Sequence, residues 1–570
     1  MLNNQMQYEW ELKEFNREIA KELALSCKLD PLIAQLLTIR GIDTPDKIRK
    51  FFKGTVADLR DPFEMNGMME AVLRIKRAVD QNERILIYGD YDVDGITAIV
   101  ILKRFLEDVG ARVSYTLPNR FQDGYGLKIS KIQKEKEETP FKLLITVDCG
   151  IKAVEEIREL KKMGVDVIVT DHHEPDEALP EAVCAILNPK VKGSGFEDEP
   201  LAGVGVVFKL VQALARHFDA RAPLDFILKI VSIGTVADLV PLLGENRIIV
   251  KEGLKAIKKT NTTGLEAMIE CCNIDKDAMA SVDISYKIAP RINALGRLGD
   301  ATNAIEMFIS NTEEEAREYA SYMNRKNSER QRLEKTLENM VLNQVDTENV
   351  AERRFLLLSG EDWHKGVIGI VASKVQKKYY RPVGIVSIED GMAFGSIRSI
   401  EGINIIDALD QFKDILESYG GHQQAAGISL KRENLQVLRE GLDEYLRQNF
   451  DDALFKPRVH IDCEIQFDMI NDEFYKRLKQ IEPFGIGNPQ PVFVTRDVII
   501  ETEPELINNR HIKFEVSDGL NRFEVIGYNK AYCSDYIQKF DSADIVFSLE
   551  KVRWNRRTYF QLNLVDLSVR

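Results

Sequence analysis

The sequence predicts an α/β protein: a parallel-sheet domain joined by a long helix to a second α/β domain, followed by a terminal β-barrel. Three observations carry this. From about residue 81, short apolar runs alternate with helix-spaced segments, the pattern of strand–helix–strand units. Residues 311–350 contain neither Gly nor Pro. Beyond about residue 455 the chain turns into short β runs, as in a small barrel.

Residues 1–80 read as helical, with Leu32, Ile33, Leu36, Leu37, Ile48, Phe51 and Phe52 at helix-like spacing. In the first domain, 81–310, strands are expected at 85–88, 113–117, 143–147, 165–169 and 182–187, with helices at 95–109 and 153–163. A sheet of this kind binds ligands at the carboxyl ends of its strands. In 311–350, Thr312 with Glu315 fits a helix-capping pair, and Leu333, Leu337, Met340 and Val341 form an apolar stripe among charges. A coiled-coil dimer would use such a stripe; an intrachain strut between two domains is the preferred reading. The second domain, 351–454, has expected strands at 355–358, 383–387 and 393–398 and helices at 366–376 and 405–416. Six β runs follow in 455–570.

Composition removes several classes. The chain has 570 residues, 29% of them charged, and no apolar run near the roughly 18 residues that a membrane helix needs. Its first residues lack the basic-then-apolar pattern of a secretory signal. The seven cysteines are scattered without a C-x-x-C pair, which argues against disulfides or structural zinc and for a reducing cytoplasm. The net charge of −14 disfavours a protein that coats duplex DNA, so any nucleic acid must meet a restricted basic channel.

Carboxylates are the strongest chemical signal. Asp90, Asp92 and Asp94 follow the strand at 85–88, and in an extended chain they would share one face. Three such groups repel unless a cation sits among them. The spacing imitates an EF-hand loop, but Ile101 stands where that loop needs a bidentate Glu, and a strand precedes it. Asp148 follows strand 143–147, and Asp171, His172 and His173 follow strand 165–169. Asp238 lies in an apolar setting where an unpaired carboxylate is costly. A lone Asp at a strand end is usually a helix cap. Together these groups describe an oxygen-rich site suited to Mn²⁺ or Mg²⁺, and two ions about 4 Å apart are a standard device for hydrolysing phosphate esters.

These residues resemble a known family. Residues 88–95, 147–150, 171–173 and 237–238 are similar to the four motifs of the DHH phosphoesterases. Residues 420–427 resemble the GGHxxAAG motif of the DHH-associated domain, and 289–297 and 363–373 resemble the bacterial single-strand-specific 5′→3′ exonucleases of that superfamily. The resemblance spans nearly the whole chain, including a terminal OB-like barrel. It implies that Asp94, Asp148, His172 and Asp238 hold one ion, and that Asp92 and Asp148 hold a second. His173 would face the phosphate as a donor, and Asp90 would complete the shell or orient a water. Some relatives place a His ligand where this chain has Tyr88.

The other motifs are read physically first. Gly420 and Gly421, expected just after a helix, let backbone N–H groups approach an anion, and His422 can donate to a phosphate; a helix C-cap is the alternative. Ser396 and Arg398, two apart in a strand, share a face. Arg120 follows another strand, and Arg297 sits in an expected Gly-flanked loop. Given the resemblance, these four form a pocket for a 5′-terminal phosphate. The glycine pairs at 203–205 and 485–487 lack the strand–turn–helix context of a nucleotide loop and are set aside. Arg553, Trp554 and Arg556 mix guanidinium and aromatic groups, as single-strand-binding surfaces do; an exposed hairpin turn is the alternative.

The expectation is therefore a monomeric, cytoplasmic hydrolase of single-stranded DNA with two Mn²⁺ or Mg²⁺ ions, yielding 5′-mononucleotides in repair and recombination. The resemblance implies a single-strand-binding protein and a DNA helicase as partners. Other DHH enzymes that cleave cyclic dinucleotides, very short RNA or pyrophosphate are shorter and lack the barrel. A non-catalytic scaffold should lack acids that are all present here.

Overall fold

Two units, each interrupted in sequence, make up the computed structural model, which describes residues 8–120, 124, 126–220, 222–345, 350–554 and 557–569. One unit comprises Glu14–Asn327 with Asn471–Gln490; the other comprises Met1–Lys13, Ser328–Ile470 and Pro491–Arg570.

The first unit is built on a five-stranded, all-parallel sheet. Its spatial order is Arg112–Thr116, Arg84–Gly89, Leu143–Val147, Asp166–Thr170, Ala185–Leu187. Such strands need both faces covered, and their near-continuous Ile, Leu and Val content supplies two apolar faces. One packs on the helices Val93–Asp108, Gly203–His217 and Leu224–Ala237, the other on Ile132, Ile157 and Leu160. The strand order reverses between Arg84–Gly89 and Leu143–Val147, and ligands of open α/β sheets bind in the crevice at such a point. Asp90 and Asp148 directly follow these two strands.

The helix Glu313–Val345, about 50 Å long at 1.5 Å per residue, begins with the Thr312–Glu315 hydrogen bond. Ala316, Ala320 and Met323 join the core of the first unit, while Leu337, Val341 and Val345 join a core of the second. Of the apolar stripe, Leu333, Leu337 and Val341 pack in that core and Met340 is exposed.

The second unit contains a mixed sheet ordered Leu416–His422, Ala425–Lys431, Met392–Arg398, Val383–Glu389, Leu356–Glu361. It also contains a ring of five strands: Phe493–Ile500, Ser542–Trp554, Arg557–Val569, Arg522–Gly527 and His511–Ser517, which pairs back to Phe493–Ile500. Closure of this kind removes exposed sheet edges.

Three expectations are corrected. Residues 1–80 are not wholly helical: Glu9–Leu12 is a strand in parallel register with Arg458–Ile461, and the Trp10 indole N–H donates to Asp566 Oδ2 at 2.7 Å. Four residues are too few to show a period. Gly420, Gly421 and His422 do not follow a helix. They end the strand Leu416–His422, because the helix Ile405–Asp410 stops early and a tight hairpin brings Gly421 (φ +148°) against the Ala425 carbonyl, where a Cβ would lie at 2.2 Å. Arg297 is not in a loop but in the helix Ala289–Leu298, where Gly296 lets the helix approach the backbone of Tyr91.

Candidate metal centre

The Asp90–Asp94 run is not extended. A helix starts at Val93, with Asp92 as its N-cap, accepting from the backbone N–H of Asp94 and Gly95 at 2.9 and 3.1 Å. Asp94 therefore turns into the first helical turn, where it is held from elsewhere. The helix Gly203–His217 aims its first two N–H groups, Gly203 and Val204, at the two Asp94 oxygens (2.6 and 2.8 Å), an anion site of the helix-terminus type. The glycine pair set aside at 203–205 thus has a task. A Cβ on Gly203 would lie 2.7 Å from Asp148 Oδ1. Asp148 sits in the left-handed region (φ +60°), which costs a non-glycine residue energy.

Asp171, named in the sequence only as part of a motif, is the organising group behind the histidines. Its Oδ1 accepts the backbone N–H of His172 (2.7 Å) and His173 (3.1 Å) and lies 2.8 Å from His173 Nδ1; its Oδ2 accepts the Ile151 N–H at 2.9 Å. Such a partner fixes ring orientation and tautomer.

His172 Nε2 lies 3.1 Å from Asp148 Oδ1, 3.6 Å from Asp238 Oδ2 and 3.7 Å from Asp94 Oδ2. Three groupings have ligand atoms within 4.8 Å of one another: Asp94–His172–Asp238, Asp148–His172–His173 and Asp90–Asp92–Asp148. Burial, then the neighbouring Asp92, pushes the Asp90 carboxyl up to about 8 and that of Asp94 to about 7. Burial and Asp94 push Asp238 to about 9, and Asp148 is also raised well above the carboxylate range. Burial drives His172 down to about 3, so its ring is neutral. Asp148 Oδ1, His172 Nε2 and Asp238 Oδ2 are buried without a hydrogen-bond partner. Acceptor atoms converging on one point without hydrogen-bond partners fit a divalent cation.

Tyr88 is not a ligand. Its ring is buried beside Leu86 and Leu127, and its hydroxyl donates to the Gly126 carbonyl at 3.0 Å. Tyr91, which sequence reasoning passed over, lies beneath Arg120 (5.6 Å from guanidinium carbon to ring centre) and near Arg297. A cavity of about 850 Å³ is lined by Tyr91, Asn119, Arg120, Lys131 and Gly296 among others.

The DHH family N-terminal domain matches residues 84–235, the DHHA1 domain 349–448 and the RecJ OB domain 461–566. Over 563 residues the chain is 36% identical to the single-stranded-DNA-specific exonuclease RecJ of Bacillus subtilis (strain 168), covering 98% of this chain and 71% of that protein. The chain belongs to the RecJ family. A crystal structure of RecJ from Thermus thermophilus in complex with Mn²⁺ matches with a TM-score of 0.85 at 28% identity, covering 98% of this chain and 79% of that one. The Mg²⁺ complex of RecJ from the same source matches at 0.76 and 27%, covering 98% and 78%.

In this RecJ-family chain the second unit brings onto one face residues that are far apart in sequence. In cross-strand register, His422 opposes Ala425, which opposes Arg398; Gly420 opposes Gly427, which opposes Ser396. Opposed residues share a face, so Ser396, Arg398, Gly420 and His422 lie on one side, with Ala425 and Gly427 leaving the surface flat. Arg398 Nη1 donates to Ser396 Oγ at 2.8 Å, and Gly369 of the helix Lys365–Tyr379 makes room for both. Gly421 belongs to the opposite face by alternation. Arg120 and Arg297 belong to the first unit. Arg553 is exposed near the end of the strand Ser542–Trp554; Arg556 and the Trp554 side chain lie outside the described residues.

Asp148→Ala removes the carboxylate common to two of the ligand groupings. Hydrolysis should fall at least about a thousandfold, or about 4 kcal/mol of barrier, with the circular dichroism spectrum unchanged; near-normal turnover by the folded variant would contradict the shared-ligand assignment. A second prediction concerns the metal-free protein. Asp238, ordinarily near 3.8, keeps its proton to about 9 in the fold, so the folded state binds the extra proton. Its contribution to stability is complete below the ordinary carboxyl value and is lost as the pH rises towards the folded one. In EDTA near pH 8, Asp238→Asn should therefore be more stable than wild type in urea titrations, with a gap that shrinks towards pH 4 and an order that reverses in Mn²⁺.

Proposed function

We propose that this chain is a metal-dependent exonuclease that degrades single-stranded DNA from the 5′ end to 5′-mononucleotides. The observation that carries the reading is the set of ligand groupings at the sheet's switch point, in which Asp90–Asp92–Asp148 and Asp148–His172–His173 share Asp148 and Asp94–His172–Asp238 shares His172, in a chain whose terminal barrel matches the RecJ OB domain. Asp94, His172 and Asp238, with Asp148, hold one Mn²⁺ or Mg²⁺; Asp92 and Asp148, with Asp90, hold the other. Bound ions of this kind supply a nucleophilic water at neutral pH and offset charge developing on the phosphate.

The chain's own groups do the rest. Asp148 sets the spacing of the two ligand sets. Asp171 holds His173 on Nδ1 and raises its affinity for a proton against the effect of burial, so the ring is a donor to a phosphate oxygen. The face bearing Ser396, Arg398, Gly420 and His422 takes a terminal phosphate, whose extra charge over an internal diester suits a guanidinium. The barrel, with Arg553, Trp554 and Arg556, tracks the strand by stacking and phosphate contact. The setting is cytoplasmic DNA repair and recombination, as a monomer, with a single-strand-binding protein and a DNA helicase as partners. Among the described residues no helix is long and apolar enough to cross a membrane.

With Mn²⁺, the protein should shorten a long single strand progressively and leave a cyclic dinucleotide and a blunt duplex intact. Hydrolysis of the cyclic dinucleotide alone would replace this reading with that of a small-substrate phosphodiesterase, and hydrolysis of neither would leave a binding scaffold. Arg398→Ala should raise KM for 5′-phosphorylated strands and narrow their advantage over 5′-hydroxyl strands by about 1–3 kcal/mol, with Mn²⁺ binding unchanged. A variant with its full preference intact would remove Arg398 from the phosphate site.

A further inference from the structure

Asp238, like Asp148, is held differently from Asp90, Asp92 and Asp94. Backbone N–H groups fix the carboxylates of Asp92 and Asp94, and the Tyr91 N–H fixes Asp90 at 2.8 Å. Asp238 Oδ2 has no hydrogen-bond partner, so the course of its own backbone sets its position. That backbone leaves the helix Leu224–Ala237 through Leu239, a β-carbon-bearing residue at φ +61°, which persists only where the surroundings enforce it.

The surroundings come from residues 481–489, which fall within the stretch matched by the OB domain yet fold with the first unit. The Leu242 N–H donates to the Ile486 carbonyl at 2.7 Å. Gly485 lies so close to the Leu242 side chain that a Cβ would sit at 2.6 Å, and Gly487 (φ +72°) faces Pro241. The turn closes on itself through paired backbone bonds between Gly485 and Asn488. Asn488, fully buried, donates to the carbonyls of Ile481 and Pro483 and accepts from Arg40 Nε, each at 2.9 Å. Arg40 also donates to the Pro489 carbonyl, and Arg247, stacked 3.4 Å from the ring centre of Phe51, donates to the carbonyls of Ile481 and Glu482. From the other side, Asn246 donates to the Pro241 carbonyl at 3.1 Å.

We propose that the turn at 485–488 is a positioning element for Asp238 and thereby sets the affinity of the ion that Asp94, His172 and Asp238 hold. The proposal rests on the two-ion reading above. Partners that orient a ligand are worth about 10–100-fold in metal affinity.

The test is calorimetric titration of Mn²⁺ into the full-length chain, as wild type, Arg40→Ala, Gly485→Val and Asp238→Asn. Arg40→Ala loosens the turn without touching the ligand loop, and Gly485→Val pushes on Leu242 directly. In both, one of two Mn²⁺ sites should weaken about tenfold or more, the site lost in Asp238→Asn, while the other stays within about twofold. Should Arg40→Ala fail to fold by circular dichroism, Gly485→Val decides alone. Wild-type affinity at both sites in the folded variants overturns the proposal, as does equal weakening of both sites, which marks general loosening. Fewer than two Mn²⁺ bound by wild type overturns the two-ion reading, and the proposal with it.

Discussion

Mutual repulsion among buried carboxylates is the constraint on which the catalytic unit depends. Asp90, Asp94 and Asp148 are almost wholly enclosed, and their acceptor atoms fall, with those of Asp92 and Asp238, into adjoining groupings with His172 and His173 within each of which the ligand atoms lie within 4.8 Å of one another. Such a cluster is intolerable without protons or cations. The fold supplies partial compensation only. Helix N-termini offer N–H groups to Asp92 and Asp94, and Asp171 is occupied with the histidines. The atoms left over, Asp148 Oδ1, His172 Nε2 and Asp238 Oδ2, are those that a metal would satisfy. The destabilising charge and the capacity to bind cations are one property.

The sheet topology explains why so many acids reach one place. Three parallel strands deliver Asp90, Asp148 and Asp171 at their carboxyl ends, and the reversal of strand order opens a crevice between the first two. Two helices then bring Asp238 by a C-terminus and the Asp94-binding N–H pair by an N-terminus. Gly203 and Gly234 sit where side chains would strike Asp148 and Thr97, so these close approaches constrain residue choice. The second unit uses a different sheet: three neighbouring strands line up His422, Arg398 and Ser396 on one face, with the small residues Ala425 and Gly427 between them.

The chain returns to each unit from a distance. Its N-terminal strand pairs with Arg458–Ile461, and Asn471–Gln490 leaves the barrel region to fold with the first unit. Both returns are secured by partly or wholly buried polar contacts: the Trp10 indole on Asp566 in one, and Arg40 and Arg247 on backbone carbonyls in the other. An unpaired guanidinium or carbonyl in these places would be costly, so the contacts define where the segments stop.

The clustering of Asp and His at strand ends and the parallel sheet were legible from residue order, because both are local signals; the extended alternation read into Asp90, Asp92 and Asp94 was not, since a helix starts at Val93. Leu143–Val147 is the strand that its apolar run announces, with Asp148 at its end. Arg120 stands after its strand, and Ser396 and Arg398 share a face, as period-two geometry demands. Other features depended on contacts between distant residues. Whether Gly203-Val204-Gly205 was idle or anchored Asp94, whether Gly485-Ile486-Gly487 was a loop or a brace, and whether His422 lay beside Arg398 were questions of strand register and docking. Short-range periodicity carries no information about either, since register and docking are set by which buried groups find partners once the chain has closed on itself.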